Sequence, residues 1–196
     1  MKFDFAKGAW EPEKELAHAY SYRFDDRPVF TQFDDCIGNQ ADPAGPGGYE
    51  YISILSRKQY GPGTRLTTRC AFEDDGAPLI VLAEKLYKDA DGTLRYGTYL
   101  EVVLYKNGIN VWRMRHRGGK VTWKKLMGVE FEVATDEIHT LSVEIGEDSL
   151  KINADGRVMT LLVEDMYSSF HVGIDACEGY NRFYDLEIDG VPLETE

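Results

Sequence analysis

The Asn107-Gly108 dipeptide is the feature that most limits what this chain can fold into. It lies between YGTYLEVVLYK and INVWRMRH, two runs rich in Val, Ile, Tyr and Trp. Asn-Gly in that setting favours a two-residue β-hairpin turn of type I′, with positive φ at both central residues. Such a turn fixes the pairing, so that Tyr105 faces Asn110, Val103 faces Trp112, Glu101 faces Met114 and Tyr99 faces His116. Side chains alternate across a strand, and two faces separate. Leu100, Val102, Leu104, Ile109 and Val111 belong in a core, with Arg113 and Arg115 at the open end of the same face. The other face carries Tyr99, Glu101, Val103, Tyr105, Asn110, Trp112, Met114 and His116. Aromatic rings alternating with hydrogen-bonding groups are what a sugar-binding surface requires. The C–H faces of a sugar pack on an aromatic plane while its hydroxyls reach a carboxylate or an amide.

Short strands separated by turn signals fill most of the remaining chain. Phe3 and Phe5 alternate as in an edge strand, a helical turn or two fits around Glu13 to Ala19, and Pro28 to Phe33 reads as a strand. Gly38 to Gly48 (GNQADPAGPGG) is a loop by composition. Strands follow over Tyr49 to Arg57, Thr64 to Glu73 and Pro78 to Tyr87 and, after the hairpin, over Lys120 to Met127, Val129 to Val133, His139 to Ile145, Ser149 to Asn153, Arg157 to Val163, Phe170 to Cys177 and Asn181 to Asp189. This pattern predicts an all-β fold, an antiparallel two-sheet sandwich, in one domain over residues 1–196.

At this point the chain resembles the concanavalin A-like lectin and glucanase superfamily. Asp136 to Gly156 (DEIHTLSVEIGEDSLKINADG) is similar to its pattern of a His opening a strand, a turn, a second strand and an Asp-Gly turn. Tyr51 to Phe72 (YISILSRKQYGPGTRLTTRCAF) is similar to the family-sixteen glycoside hydrolase segment in which a Ser/Thr-Lys/Arg stretch and a Gly-bearing turn join two strands. The resemblance implies a jelly roll whose concave sheet holds carbohydrate, and a structural role for His139. Family-sixteen hydrolases carry Glu-x-Asp-x-(x)-Glu on one strand. The counterpart here is Glu101-Val-Val-Leu-Tyr105, with Val103 at the helper position and Tyr105 where a second carboxylate would stand. A retaining mechanism needs two carboxyl groups about 5 Å apart, so the resemblance does not carry the activity with it.

The leading expectation is therefore a glycan-binding or glycan-processing protein, with Tyr99, Tyr105, Asn110 and Trp112 contacting the sugar. A hydrolase or lyase would use Glu101 and His116 as acid/base groups, and Asp175 or Glu178 could supply a further carboxylate. A third alternative is an interaction protein whose aromatic face meets another subunit in a homo-oligomer. The formal charge of −12 argues against nucleic acid and anionic membranes as partners. The absence of a signal-like start and the three cysteines at no metal-ligand spacing point to a cytoplasmic protein with free thiols. No cofactor is expected, although Asp25-Asp26, Asp34-Asp35, Asp74-Asp75, Asp89 and Asp91 offer oxygen ligands for a structural calcium ion.

Overall fold

The computed structural model describes residues 1–22, 27–39, 51–117 and 120–194. The expected aspartates at 25 and 26, and residues 40–48 of the Gly/Pro loop, lie outside them. Eighteen strands follow one another among the described residues: β1 (Lys2–Asp4), β2 (Leu16–Ser21), β3 (Thr31–Gln32), β4 (Ile37–Gly38), β5 (Ile52–Ser56), β6 (Arg65–Glu73), β7 (Ala77–Ala83), β8 (Tyr87–Lys88) and β9 (Leu94–Tyr96) in the first half. The second half holds β10 (Tyr99–Tyr105), β11 (Gly108–Arg117), β12 (Lys120–Glu130), β13 (His139–Ile145), β14 (Ser149–Ala154), β15 (Arg157–Leu162), β16 (His171–Cys177), β17 (Tyr180–Phe183) and β18 (Asp185–Asp189). The helical turn expected near Glu13 to Ala19 is replaced by β2, whose Leu16, Ala17, Ala19 and Tyr20 are all buried in the sheet.

Two nine-stranded sheets pack face to face. One runs β15-β14-β13-β6-β17-β4-β3, with β18 on β6 and β1 on β18; the other runs β12-β11-β10-β7-β16-β5-β2-β9-β8. Between them lies the main core, to which β6 gives Leu66, Cys70 and Phe72, β10 gives Leu100, Val102 and Leu104, and β16 gives Val172, Ile174 and Ala176. The continuous apolar run of β7 has a simple cause. Ile80 and Leu82 enter the main core while Leu79, Val81 and Ala83 enter a second cluster on the outer face of the same sheet, so both faces of β7 are buried.

The organising hairpin forms, with a different turn. Tyr105 pairs with Gly108, Glu101 with Trp112 and Tyr99 with Met114, a shift of two residues from the expected register. Positive φ falls on Gly108 alone, at +128°, and not on the pair Asn107-Gly108. The cause is the neighbouring strand. The chain after β12 runs past the hairpin tip, where Phe131 N and Val133 N donate to the carbonyls of Asn107 and Lys106 at 3.1 and 3.0 Å. A Cβ on residue 108 would stand 2.0 Å from the Val129 carbonyl oxygen, so only glycine fits. Because a two-residue slip keeps the alternation, every side chain stays on its expected face. Strand β12 is continuous across Gly128, where a break was expected, and takes up the irregularity as a bulge opposite Val111 and Trp112.

Candidate functional site

A groove of about 650 Å³ opens on the outer face of the second sheet. Glu101, Val103 and Tyr105 from β10, Asn110 and Trp112 from β11, and Trp123 from β12 form one wall. Leu79 of β7, Cys177, Glu178 and Tyr51 form the other. Period-two alternation explains the first wall, since these residues occupy successive outward positions on three adjacent strands. Trp112 and Trp123 lie with ring centroids 5.7 Å apart and planes inclined by 33°, and Lys125 Nζ stands 5.2 Å from the Trp112 ring. Glu101 is only 3% exposed, which sets its carboxylate into the base of the groove. Asn110 Oδ1 is buried and accepts no hydrogen bond.

Five of the expected residues thus meet in one place: Glu101, Tyr105, Asn110, Trp112 and Glu178. Three do not. Tyr99 is fully buried, so the expectation that it stacks on a ligand is corrected. The reason is a second layer: β9 pairs with β2 and brings Tyr96 over this end of the sheet, its ring 4.8 Å from that of Tyr99 in an edge-on contact. His116, expected as an acid/base group beside Glu101, is exposed and does not line the groove; its ring stacks on Tyr22 at 4.2 Å, beyond the covered end. Asp175 lies on the grooved face but is fully buried. Ser53 Oγ donates to Asp175 Oδ2, the Tyr96 hydroxyl donates to the same oxygen at 3.2 Å, and the Ser53 and Tyr96 hydroxyls are 2.6 Å apart. Burial first, and the Asp175 charge second, hold the Tyr96 phenol well above its usual range, so it remains a donor at neutral pH.

Two aromatic groove residues, Trp123 and Tyr51, were not anticipated as ligand contacts. Trp123 was legible, since it follows the hairpin by one turn and alternates with Val121 and Lys125 on the same face as Trp112. Tyr51 was not: the strand expected over Tyr49 to Arg57 begins only at Ile52, and Tyr51 reaches the groove from the residue before it, at φ +61°. Glu178, at φ +53° in the turn after β16, shares that left-handed geometry. Cys177 is unsuited to nucleophilic chemistry, since burial, and then the charges of Asp175, Glu101 and Glu178, push its thiol far above the usual range. All three cysteines are free.

Among the described residues no group of three or more His, Cys, Asp or Glu side chains assembles as a metal site. Two of the acidic turns expected to offer calcium ligands hold cations or amides of the chain itself. Asp89 and Asp91 accept from Thr93 N and pair with Arg95 and Arg27, and Asp75 pairs with Lys106. His139 sits where the sequence placed it, between Asp155 Oδ2 at 2.6 Å and the Ala134 carbonyl at 2.7 Å, and so ties the start of β13 to the Asp-Gly turn.

No protein-family model and no curated protein matches the sequence. Solved structures do match the fold. The carbohydrate-binding module CBM66 from Bacillus subtilis superposes with a TM-score of 0.64 at 11% identity, over 92% of this chain and 99% of the module. The fold is that of the concanavalin A-like lectins and glucanases. Within this jelly roll, β-agarase A from Zobellia galactanivorans superposes with a TM-score of 0.61 at 11% identity, over 87% of this chain and 77% of that one. A β-1,3-glucanase from Mycobacterium marinum gives 0.56 at 15% identity, over 96% and 97%. The grooved sheet of this concanavalin A-like sandwich is the one built around β10 and β7.

Proposed function

We propose that this protein binds a carbohydrate chain in the groove, with sugar rings packed on Trp112 and Trp123 and hydroxyls bonded to Glu101, Asn110 and Glu178. The observation that carries the reading is the convergence of two indole planes with a recessed carboxylate and an unsatisfied amide oxygen in one groove. Its volume of about 650 Å³ lies within the roughly 300–1,000 Å³ range of small-molecule sites. The similar solved structures support the same class of ligand, since one is a carbohydrate-binding module and another a β-agarase in complex with oligoagarose.

A glycan-array screen of the wild-type chain beside Glu101→Gln and Trp112→Ala tests the proposal. One family of glycans should be retained by the wild type and lost by Trp112→Ala, while the variant keeps its β-sheet circular dichroism. Retention of no glycan by the wild type refutes it. So does a concentration-dependent dimer in which the groove is closed to solvent, since a subunit interface would then explain the aromatic face.

A further inference from the structure

Charge is unevenly divided along this chain. Between Glu101 and Glu130 the sequence has seven Lys and Arg and no Asp or Glu, so this stretch carries +7 and the remainder −19 of the total −12. Most of these cations lie on β11 and β12, and β12 is the outermost strand of its sheet. Lysines on an edge strand guard against edge-to-edge pairing, which accounts for exposed Lys120. It does not account for Arg113, which is 7% exposed.

Arg113 lies two residues beyond Val111 and so projects from the core-facing side of β11, toward Glu164. Its Nη2 donates to the Glu164 carbonyl at 2.7 Å, while its Nε is buried with no hydrogen-bond partner. Lys124 is its cross-strand neighbour and shares its face. Arg113, Lys124 and Lys125 line a cleft of about 460 Å³ walled by Leu126 and Leu161, with Asp148 and Glu164 also on its lining. Arg115, the next residue on that face, pairs with Asp165 at 3.3 Å and likewise keeps a buried Nε without a partner. Burial, and after it the Arg115 charge, draws Arg113 below the usual guanidinium range. Among the described residues the Arg113 guanidinium bonds a neutral carbonyl and makes no ion pair, so an anion in the cleft would supply a counter-charge.

We propose that this cleft is a second binding site that takes an oxyanion, a carboxylate or a sulfate, against the Arg113 guanidinium with Lys124 alongside. Asp148 and Glu164 on the lining disfavour a polyanion, so the ligand is a small anion or a single charged substituent on a longer chain. Arg113 and Trp112 point to opposite faces of the sheet, so the anion contacts lie across the sheet from the tryptophan groove and only Lys125, at the β12 edge, borders both.

Isothermal titration with sodium sulfate, sodium acetate, a neutral oligosaccharide and its uronate-bearing counterpart tests this, with ionic strength held constant by chloride. Wild type should bind at least one oxyanion saturably. Lys124→Gln, an exposed position that leaves the fold intact, should weaken it about tenfold, and Arg113→Gln should weaken it at least as much. Trp112→Ala should leave it within about twofold, which separates this site from the groove. Binding of sulfate or acetate alone identifies a free anion as ligand; binding of only the uronate oligosaccharide identifies a charged glycan. No saturable binding above the chloride control, or an affinity unchanged in Lys124→Gln, overturns the proposal.

Discussion

Truncating Trp112 to alanine is the sharpest probe of the groove. Trp112 is half-buried in the wall, supported by Trp123 at 5.7 Å, with Lys125 over its ring. An aromatic side chain buries roughly 150–250 Å² in all, and one partly covered ring can offer a ligand less than half of that, about 80 Å². At about 25 cal/mol per Å², the lost contact is worth about 2 kcal/mol, or about 30-fold in Kd. Titration calorimetry on the best-retained neutral oligosaccharide measures this directly. A drop of less than about threefold, in a variant whose urea midpoint shows it folded, would mean that the sugar does not stack there. Glu101→Gln separates charge from shape at the same site. It keeps an acceptor oxygen while removing the carboxylate, so a hydrogen-bonding role predicts about a tenfold loss of affinity.

Three further outcomes follow from the scaffold. Gly108→Ala forces a Cβ to within 2.0 Å of the Val129 carbonyl oxygen at φ +128° and should cost on the order of 3 kcal/mol by urea unfolding; a loss below about 1 kcal/mol would contradict the turn described. Tyr96→Phe removes a donor to the fully buried Asp175 and should destabilise by about 2 kcal/mol, with Ser53→Ala giving a loss that is not additive with it. His171 donates through Nδ1 to the Ser56 carbonyl at 2.8 Å, and burial holds its pKa below the usual 6.5. The unfolded chain therefore takes up the proton first as pH falls. The stability linked to the neutral ring is complete above the unfolded pKa near 6.5 and is lost as pH falls through that value and on through the lower folded one. His171→Gln should flatten the fall in thermal midpoint between about pH 7 and 5, and an unchanged slope would exclude His171 as a source of acid sensitivity.

Alternation made the faces of the hairpin legible even though its register was displaced. A two-residue slip preserves parity, so Glu101, Tyr105, Asn110 and Trp112 appear where counting put them. Alternation assigns a face and is silent about what covers it. Tyr99 and Trp112 share a face, yet the parallel pairing of Tyr20 and Ser21 with Arg95 and Tyr96 lays a second cluster over Tyr99 alone. That pairing joins residues some 75 positions apart in short strands with no period of their own. The turn was misjudged for a related reason: Asn-Gly prefers its local conformation only until a neighbouring chain claims its carbonyls, as Phe131 and Val133 do.

Among the described residues, Glu101 is the only carboxylate on its own strand, and Asp175, on the same face of the sheet, is buried. Gly173, Val81, Glu101 and Trp112 form one row across four adjacent strands. Asp175 lies two strands away from Glu101 and two residues along, about 12 Å between Cα atoms at the usual strand spacings. It is also fully buried and bonded to Ser53 and Tyr96, so no water can reach it for attack. The Cα of Cys177, the residue before Glu178, is about 16 Å from that of Glu101 by the same spacings, and both glutamate side chains line the groove between them. Retaining hydrolysis needs carboxyl groups about 5 Å apart and inverting hydrolysis about 6.5–9.5 Å, and Val103 and Tyr105 supply none on the Glu101 strand. If Glu101 only accepts sugar hydroxyls, incubation with the retained glycan should produce no new reducing ends over hours at neutral pH. Turnover by the wild type that disappears in Glu101→Gln would make Glu101 an acid or base with a partner other than the buried Asp175.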